Sequence, residues 1–146
     1  MKWVVDTNVI SELKRSNPNP EVVKWYSSVE LETLYTTVVN IAEIKAGILE
    51  QQNTAHAIEL STWLATVIRP FYQGRILEAD EGALVRWHRL RLLVQANRDA
   101  NPPVDVLIAA IAFENDAWVV TRDVKGFVST GVPILNPFTG ERFNGA

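Results

Sequence analysis

The first thirteen residues, Met1 to Leu13, read MKWVVDTNVISEL. Trp3, Val4 and Val5 form an apolar run that stops on Asp6, and a second apolar pattern, Val9, Ile10 and Leu13, follows at helical spacing. The first run predicts a short buried strand over residues 2 to 5. The second predicts a helix over Thr7 to Leu13, with Thr7 or Asn8 suited to cap it. Asp6 therefore falls at a strand-to-helix junction, an expensive place for an anion unless something there uses the charge.

The same grammar recurs along the chain. Pro20 opens a second helix through Val22, Val23, Trp25 and Tyr26, and Leu34 to Thr36 reads as the next strand. From Val38 to about Gln51, Ile41, Ile44 and Ile48 make one apolar stripe with Glu43 on a neighbouring face, early in that helix. Ala55 to Ile68 and Glu81 to Ala96 are longer amphipathic stretches, expected to pair antiparallel through a joint at Pro70 to Leu77, with Trp63 and Trp87 as core aromatics. Pro102-Pro103 starts a helix over Val104 to Glu114 that carries Asp105 in its first turn. Trp118 to Thr121 is a second strand that ends in an acid, Asp123, and Ile134-Leu135 suggests an edge strand before a polar tail.

Strands alternating with helices predict an α/β/α sandwich around a central, mainly parallel sheet, as a single domain over residues 1–146. The 146 residues, 47% hydrophobic and 21% charged, suit one folded domain. With no cysteine, thiol nucleophiles, disulfides and cysteine-based zinc sites are excluded. The lack of a leader-like or membrane-spanning run makes a cytoplasmic protein with no membrane attachment the expectation. A net charge of −3 argues against bulk electrostatic coating of nucleic acid. The crowded Arg86, Arg89, Arg91 and Arg98 read as a solvated helix face.

In a parallel sheet, ligands bind beyond the carboxyl ends of the strands. Asp6 and Asp123 belong there, and helices starting from that rim would bring Glu43 and Asp105 toward the same point. Each acid alone could be a helix cap. Four together cannot all stay ionised without a cation, because like charges raise one another's pKa. All-oxygen ligation selects a hard ion, so the expected cofactor is Mg²⁺ or Mn²⁺, and the expected chemistry is attack of water on a phosphodiester. Thr7, Asn8 and Thr121 are expected as supporting groups, and Lys14, Arg15, Lys45 and Arg122 as contacts to substrate phosphates. His56 and His88 lie on the amphipathic helices, away from the acids. Asp116, a reserve acid, precedes its strand and so sits at the wrong end of the sheet.

In order and spacing, VVDTNVISE, NIAEIKAG, VDVLIAAIA and VVTRD resemble the motifs of the PIN-domain ribonucleases, in particular the VapC toxins and their FitB-like branch. The resemblance implies a metal-dependent endoribonuclease whose four acids fall on Asp6, Glu43, Asp105 and Asp123, supported by Asn8 and Thr121. It also implies a homodimer and a VapB-type antitoxin partner. Two departures stand out: Val106 occupies a position where a small residue is common, and TRD replaces a frequent TRN. A haloacid-dehalogenase-like phosphatase needs a second acid where Asn8 stands, and a receiver domain needs acids and a lysine that are not in place. No glycine-rich phosphate loop is present. The rival from another class is a catalytically silent PIN-like module that only binds an antitoxin or scaffold.

Overall fold

The protein is described from a computed structural model, over residues 1–95 and 103–144. Arg98 and Ala96 lie outside the described residues. Four strands match the apolar runs: β1 (Lys2–Val5), β2 (Leu34–Thr37), β4 (Ala117–Val120) and β5 (Ile134–Leu135). Two further strands of two residues each, β3 (Ile76–Leu77) and β6 (Arg142–Phe143), complete one sheet in the order β3-β2-β1-β4-β5-β6. All neighbours are parallel except the antiparallel pair β5 and β6.

Because successive side chains of a strand face opposite ways, each strand feeds two cores. Trp3, Val5, Val120 and Leu135 join one face, covered by α1 (Thr7–Lys14), α2 (Pro20–Ser28), α3 (Val38–Glu50) and the stretch from Leu64 to Tyr72. Val4, Val119 and Ile134 join the other, under α6 (Glu81–Gln95), α7 (Pro103–Glu114) and α8 (Val124–Phe127). The result is the expected α/β/α sandwich around a mainly parallel sheet.

Several expectations need correction. The two long amphipathic stretches do not pair: α4 (Thr54–Trp63) packs on α3, whereas α6 packs along α7 on the opposite face of the sheet. The joint between them holds β3, which adds to the edge of the sheet beside β2 and carries the chain from one layer to the other. Amphipathicity shows that a helix has an apolar side but not which layer buries it. The first stretch is also not uniformly α-helical, since Leu64–Ile68 forms a π-helical turn before the short α5 (Arg69–Phe71). Trp63 and Trp87 are half-buried at the margins of the cores rather than inside them. Ile134-Leu135 is not an edge strand, because β6 pairs outside it. Finally, Asp6 itself caps α1, with its own side chain accepting the Thr7 N–H, so neither Thr7 nor Asn8 is the cap.

Among the described residues no helix is long and apolar enough to cross a membrane. Arg86 pairs with Glu114 at 2.7 Å and lies over the Phe113 ring, and Arg91 lies over Trp87, so these arginines bind helix to helix or cover an aromatic.

Candidate functional site at the carboxyl rim of the sheet

Strand order decides where the site forms. After β1 the chain turns toward β2, and after β4 toward β5, so a crevice opens between two neighbouring strands whose continuations part. The register pairs Val5 with Val120 and carries Asp6 alongside Thr121, and the Asp6 N–H donates to the Val120 carbonyl at 2.9 Å.

Asp6 is 6% exposed, and its carboxylate is gripped from all sides. Oδ1 accepts from the Thr7 N–H at 2.8 Å and from Asn40 Nδ2 at 2.9 Å. Oδ2 accepts from the Thr121 hydroxyl at 2.7 Å, while Asn8 Nδ2 stands at a long 3.4 Å. A carboxylate offers about four acceptor positions, so Oδ2 is the oxygen with capacity to spare. Thr121 and Asn8 tie this carboxylate to the β4 turn. The Thr121 hydroxyl accepts from Asn8 Nδ2 at 3.1 Å and from the Asp123 N–H at 3.0 Å, and Asn8 Oδ1 accepts from the Arg122 N–H.

Glu43 lies on the exposed rim, in the second turn of α3, where its Oε1 accepts the Thr7 hydroxyl at 3.0 Å. Asp123 caps α8 through its Oδ1, which accepts the Gly126 N–H at 3.2 Å. Asp105 rises from the first turn of α7 toward the same helix. Gly126 is where these two acids meet: a Cβ built there would lie 2.7 Å from Asp123 Oδ2 and would also collide with Asp105 Oδ2. The structure thus places Asp105 and Asp123 together at Gly126 and Glu43 beside Asp6 across Thr7, with Asn8 and Thr121 joining Asp6 to the Asp123 turn; the four acids share one rim and feel one another's charge. Asp116 is exposed at the opposite end of β4 and takes no part.

Charge crowding shows in the acids' protonation. Burial, then the charges of Asp6, Asp123 and Glu43, pushes the Asp105 carboxyl up to about 7. Burial also raises Asp6, against its hydrogen bonds from Thr121, Thr7 and Asn40, and Asp123 adds repulsion. Glu43 is raised by partial burial and by Asp6, opposed by the Thr7 hydroxyl. Among the described residues no Lys or Arg pairs with them, since the ion pairs there use the carboxylates of Glu12, Glu59 and Glu114. As placed, no three Asp, Glu or His side chains among the described residues stand close enough to grip a metal ion. Much of the site's oxygen is turned to protein donors instead. The fit to a hard divalent cation is one of chemistry: carboxylate oxygens, unmatched negative charge, and an Asp6 oxygen with spare capacity.

Of the basic groups expected at the rim, two are engaged elsewhere. Lys14 pairs with Glu59 at 3.1 Å and Arg15 with Glu12 at 3.3 Å. Lys45 lines a separate pocket with Arg69 and Ile76, whose lining includes none of the four acids. Arg122 gives the site its backbone N–H, while its guanidinium lies 4.7 Å from the centre of the Phe138 ring and its charge helps to lower the Glu12 carboxyl. A cleft of about 260 Å³ runs outward from Thr7 and Glu43 past Ser11 to Leu60 and Trp63.

Two residues of the site were not nominated from sequence. Gly126 lies in a four-residue helix too short to read. Asn40 is one polar residue among several in α3, with Glu43, Lys45 and Glu50, and only its spacing of three from both Thr37 and Glu43 hints at its use.

A protein-family model described as "PIN domain" matches residues 3–131. The chain is 33% identical over 135 residues to Toxin FitB of Neisseria gonorrhoeae, spanning 92% of this chain and 97% of that one. It is 30% identical over 135 residues to VapC ribonuclease Y4jK of Sinorhizobium fredii, spanning 92% and 96%. The crystal structure of FitAcB from Neisseria gonorrhoeae superposes with a TM-score of 0.86 at 33% identity, covering 93% of this chain and 98% of that one. Sheet order, rim acids and these matches agree: the chain belongs to the PIN domain family.

Proposed function

We propose that this protein is a metal-dependent endoribonuclease that acts as the toxin of a toxin–antitoxin pair. The observation that carries the reading is the placement of Asp6, Glu43, Asp105 and Asp123 at one rim with no ion pair to a cationic side chain among the described residues. The similarity to a toxin and to a ribonuclease along nearly the whole chain supports it.

The four acids would hold Mg²⁺ or Mn²⁺, which when bound supplies Lewis acidity toward water and phosphate. The chain's own groups do the rest. Thr121, Asn40 and the Thr7 N–H fix the Asp6 carboxylate before substrate arrives, so little reorganisation is left for the reaction. One of the four carboxylates would accept the proton from attacking water. Arg122, its guanidinium over Phe138 and its backbone next to Asp123 in sequence, would meet an RNA phosphate at the edge of the site. A toxin kept by its host needs a neutralising partner, so the reading includes a VapB-type antitoxin. It includes a homodimer as well, with RNA entering along the cleft past Glu43.

Cleavage of total RNA, followed with Mn²⁺, with EDTA and with Asp6→Asn, tests the proposal. Cleavage should need the metal and vanish in the variant. The variant should melt no lower than the parent, because it loses one of several repelling anions. Cleavage that persists in EDTA refutes the metal chemistry. A parent as silent as Asp6→Asn points instead to a module that only binds.

A further inference from the structure

Asn40 is fully buried, and its carboxamide is completely used. Its Oδ1 accepts the Thr37 hydroxyl at 2.7 Å. The two hydrogens of Nδ2 go to Asp6 Oδ1 at 2.9 Å and to Thr7 Oγ1 at 3.1 Å. Thr37 in turn accepts the Asn40 N–H at 3.2 Å as the cap of α3, so the loop of contacts closes on itself. Each bond dictates the next. Since the Thr37 hydroxyl donates, the amide must turn its oxygen to Thr37 and its nitrogen to the site. Since the Thr7 hydroxyl accepts from Asn40, its single hydrogen is left for Glu43 Oε1.

We infer that Asn40 is a positioning residue that holds Asp6 and Glu43 in one arrangement, fixing which Asp6 oxygen turns inward and aiming the Thr7 hydroxyl at Glu43. The inference rests on the proposed metal site. Its structural basis is that one rigid, buried amide touches Asp6 directly and reaches Glu43 through one hydroxyl, tying β1 to α3 at the site. Groups that orient ligands from behind typically govern metal affinity by about 10- to 100-fold.

The test is Mn²⁺ binding by calorimetry on the folded, full-length protein, with melting temperature measured alongside. Asn40→Leu keeps the volume and removes both donors. It should weaken Mn²⁺ at least tenfold and lower kcat with little change in KM for RNA. Asn40→Ser retains a polar atom near Thr37 but is too short to reach Asp6, so it should fold readily and show the same loss. A lower melting temperature with Mn²⁺ affinity within twofold of the parent means that Asn40 only supports the fold, which overturns the inference. Equal affinity in folded Asn40→Ser overturns it even if Asn40→Leu does not fold. A parent that takes up no Mn²⁺ refutes the metal site itself and this inference with it, an outcome distinct from parent and variants binding alike.

Discussion

Replacing Gly126 with alanine should stop RNA cleavage while leaving the fold almost as stable as before. The added Cβ would sit 2.7 Å from Asp123 Oδ2, where ordinary contact begins at 3.4 Å, so that oxygen must retreat by about 0.7 Å, and Asp105 Oδ2 must move further. Both obstructing atoms are ends of side chains that can rotate, and Gly126 lies in helix α8 without a left-handed backbone. Crowding of this kind costs about 1 kcal/mol, and alanine regains roughly 0.5 to 1 kcal/mol over glycine in a helix, so the terms nearly cancel. Catalysis has no such compensation: misplacing reacting groups by about 1 Å costs on the order of 100-fold. Initial cleavage rates with Mn²⁺, paired with thermal melting, give the two readouts. Activity within threefold of the parent would show that Asp105 and Asp123 need not meet at Gly126. A collapse in melting temperature would show that the two acids serve the fold.

Other outcomes follow from the same geometry. Asp105, Asp6 and Glu43 have carboxyls raised above their unfolded values, so the folded state holds more protons and the metal-free protein should lose stability as pH rises from about 4 toward about 7. For Asp105 the rise from 3.8 to about 7 corresponds to at most ~4 kcal/mol, which screening at this half-buried position reduces to about 1 to 2 kcal/mol. Melting curves in EDTA across that window should show the decline, and Asp105→Asn should flatten it; a variant with the parent's slope removes Asp105 as the cause. Adding Mn²⁺ at about 100 times its Kd should stabilise the protein by about 2.7 kcal/mol, visible as a higher melting temperature at neutral pH. No shift would count against a cation at this rim. Arg122→Ala should weaken RNA binding and reduce its salt dependence by about one phosphate's worth, and an unchanged salt slope would remove Arg122 from the RNA path.

The sequence displays those parts of the fold that depend on local pattern. Trp3 to Val5 and Trp118 to Val120 are apolar runs of strand length, Leu34 to Thr36 is rich in strand-forming residues, and each lies in a sheet strand. Acids at their ends, and at the starts of the helices that follow, were legible because an anion beside an apolar run is conspicuous. Register and layer were not. Nothing local pairs Ile76-Leu77 with β2 or Arg142-Phe143 with β5, since two residues carry no periodicity. Nor does an amphipathic pattern say that α6 lies across the sheet from α4. Asn40 escaped for a related reason: its partners Asp6 and Thr7 are more than thirty residues away, and along the chain it is an ordinary polar residue.

The pairing of β1 with β4 sets the order in which the site comes into being as the chain is made. Asp6 and Asn8 leave the ribosome well before their partner Thr121, which comes more than a hundred residues later, and Asp123 follows that. Until β4 has been synthesised and has closed against β1, Asp6 faces no Thr121 and the fourth carboxylate does not exist. A contact this distant in sequence forms late. A chain that stops short of Asp123 therefore lacks this arrangement by construction, and the rim is assembled only once translation has passed Asp123.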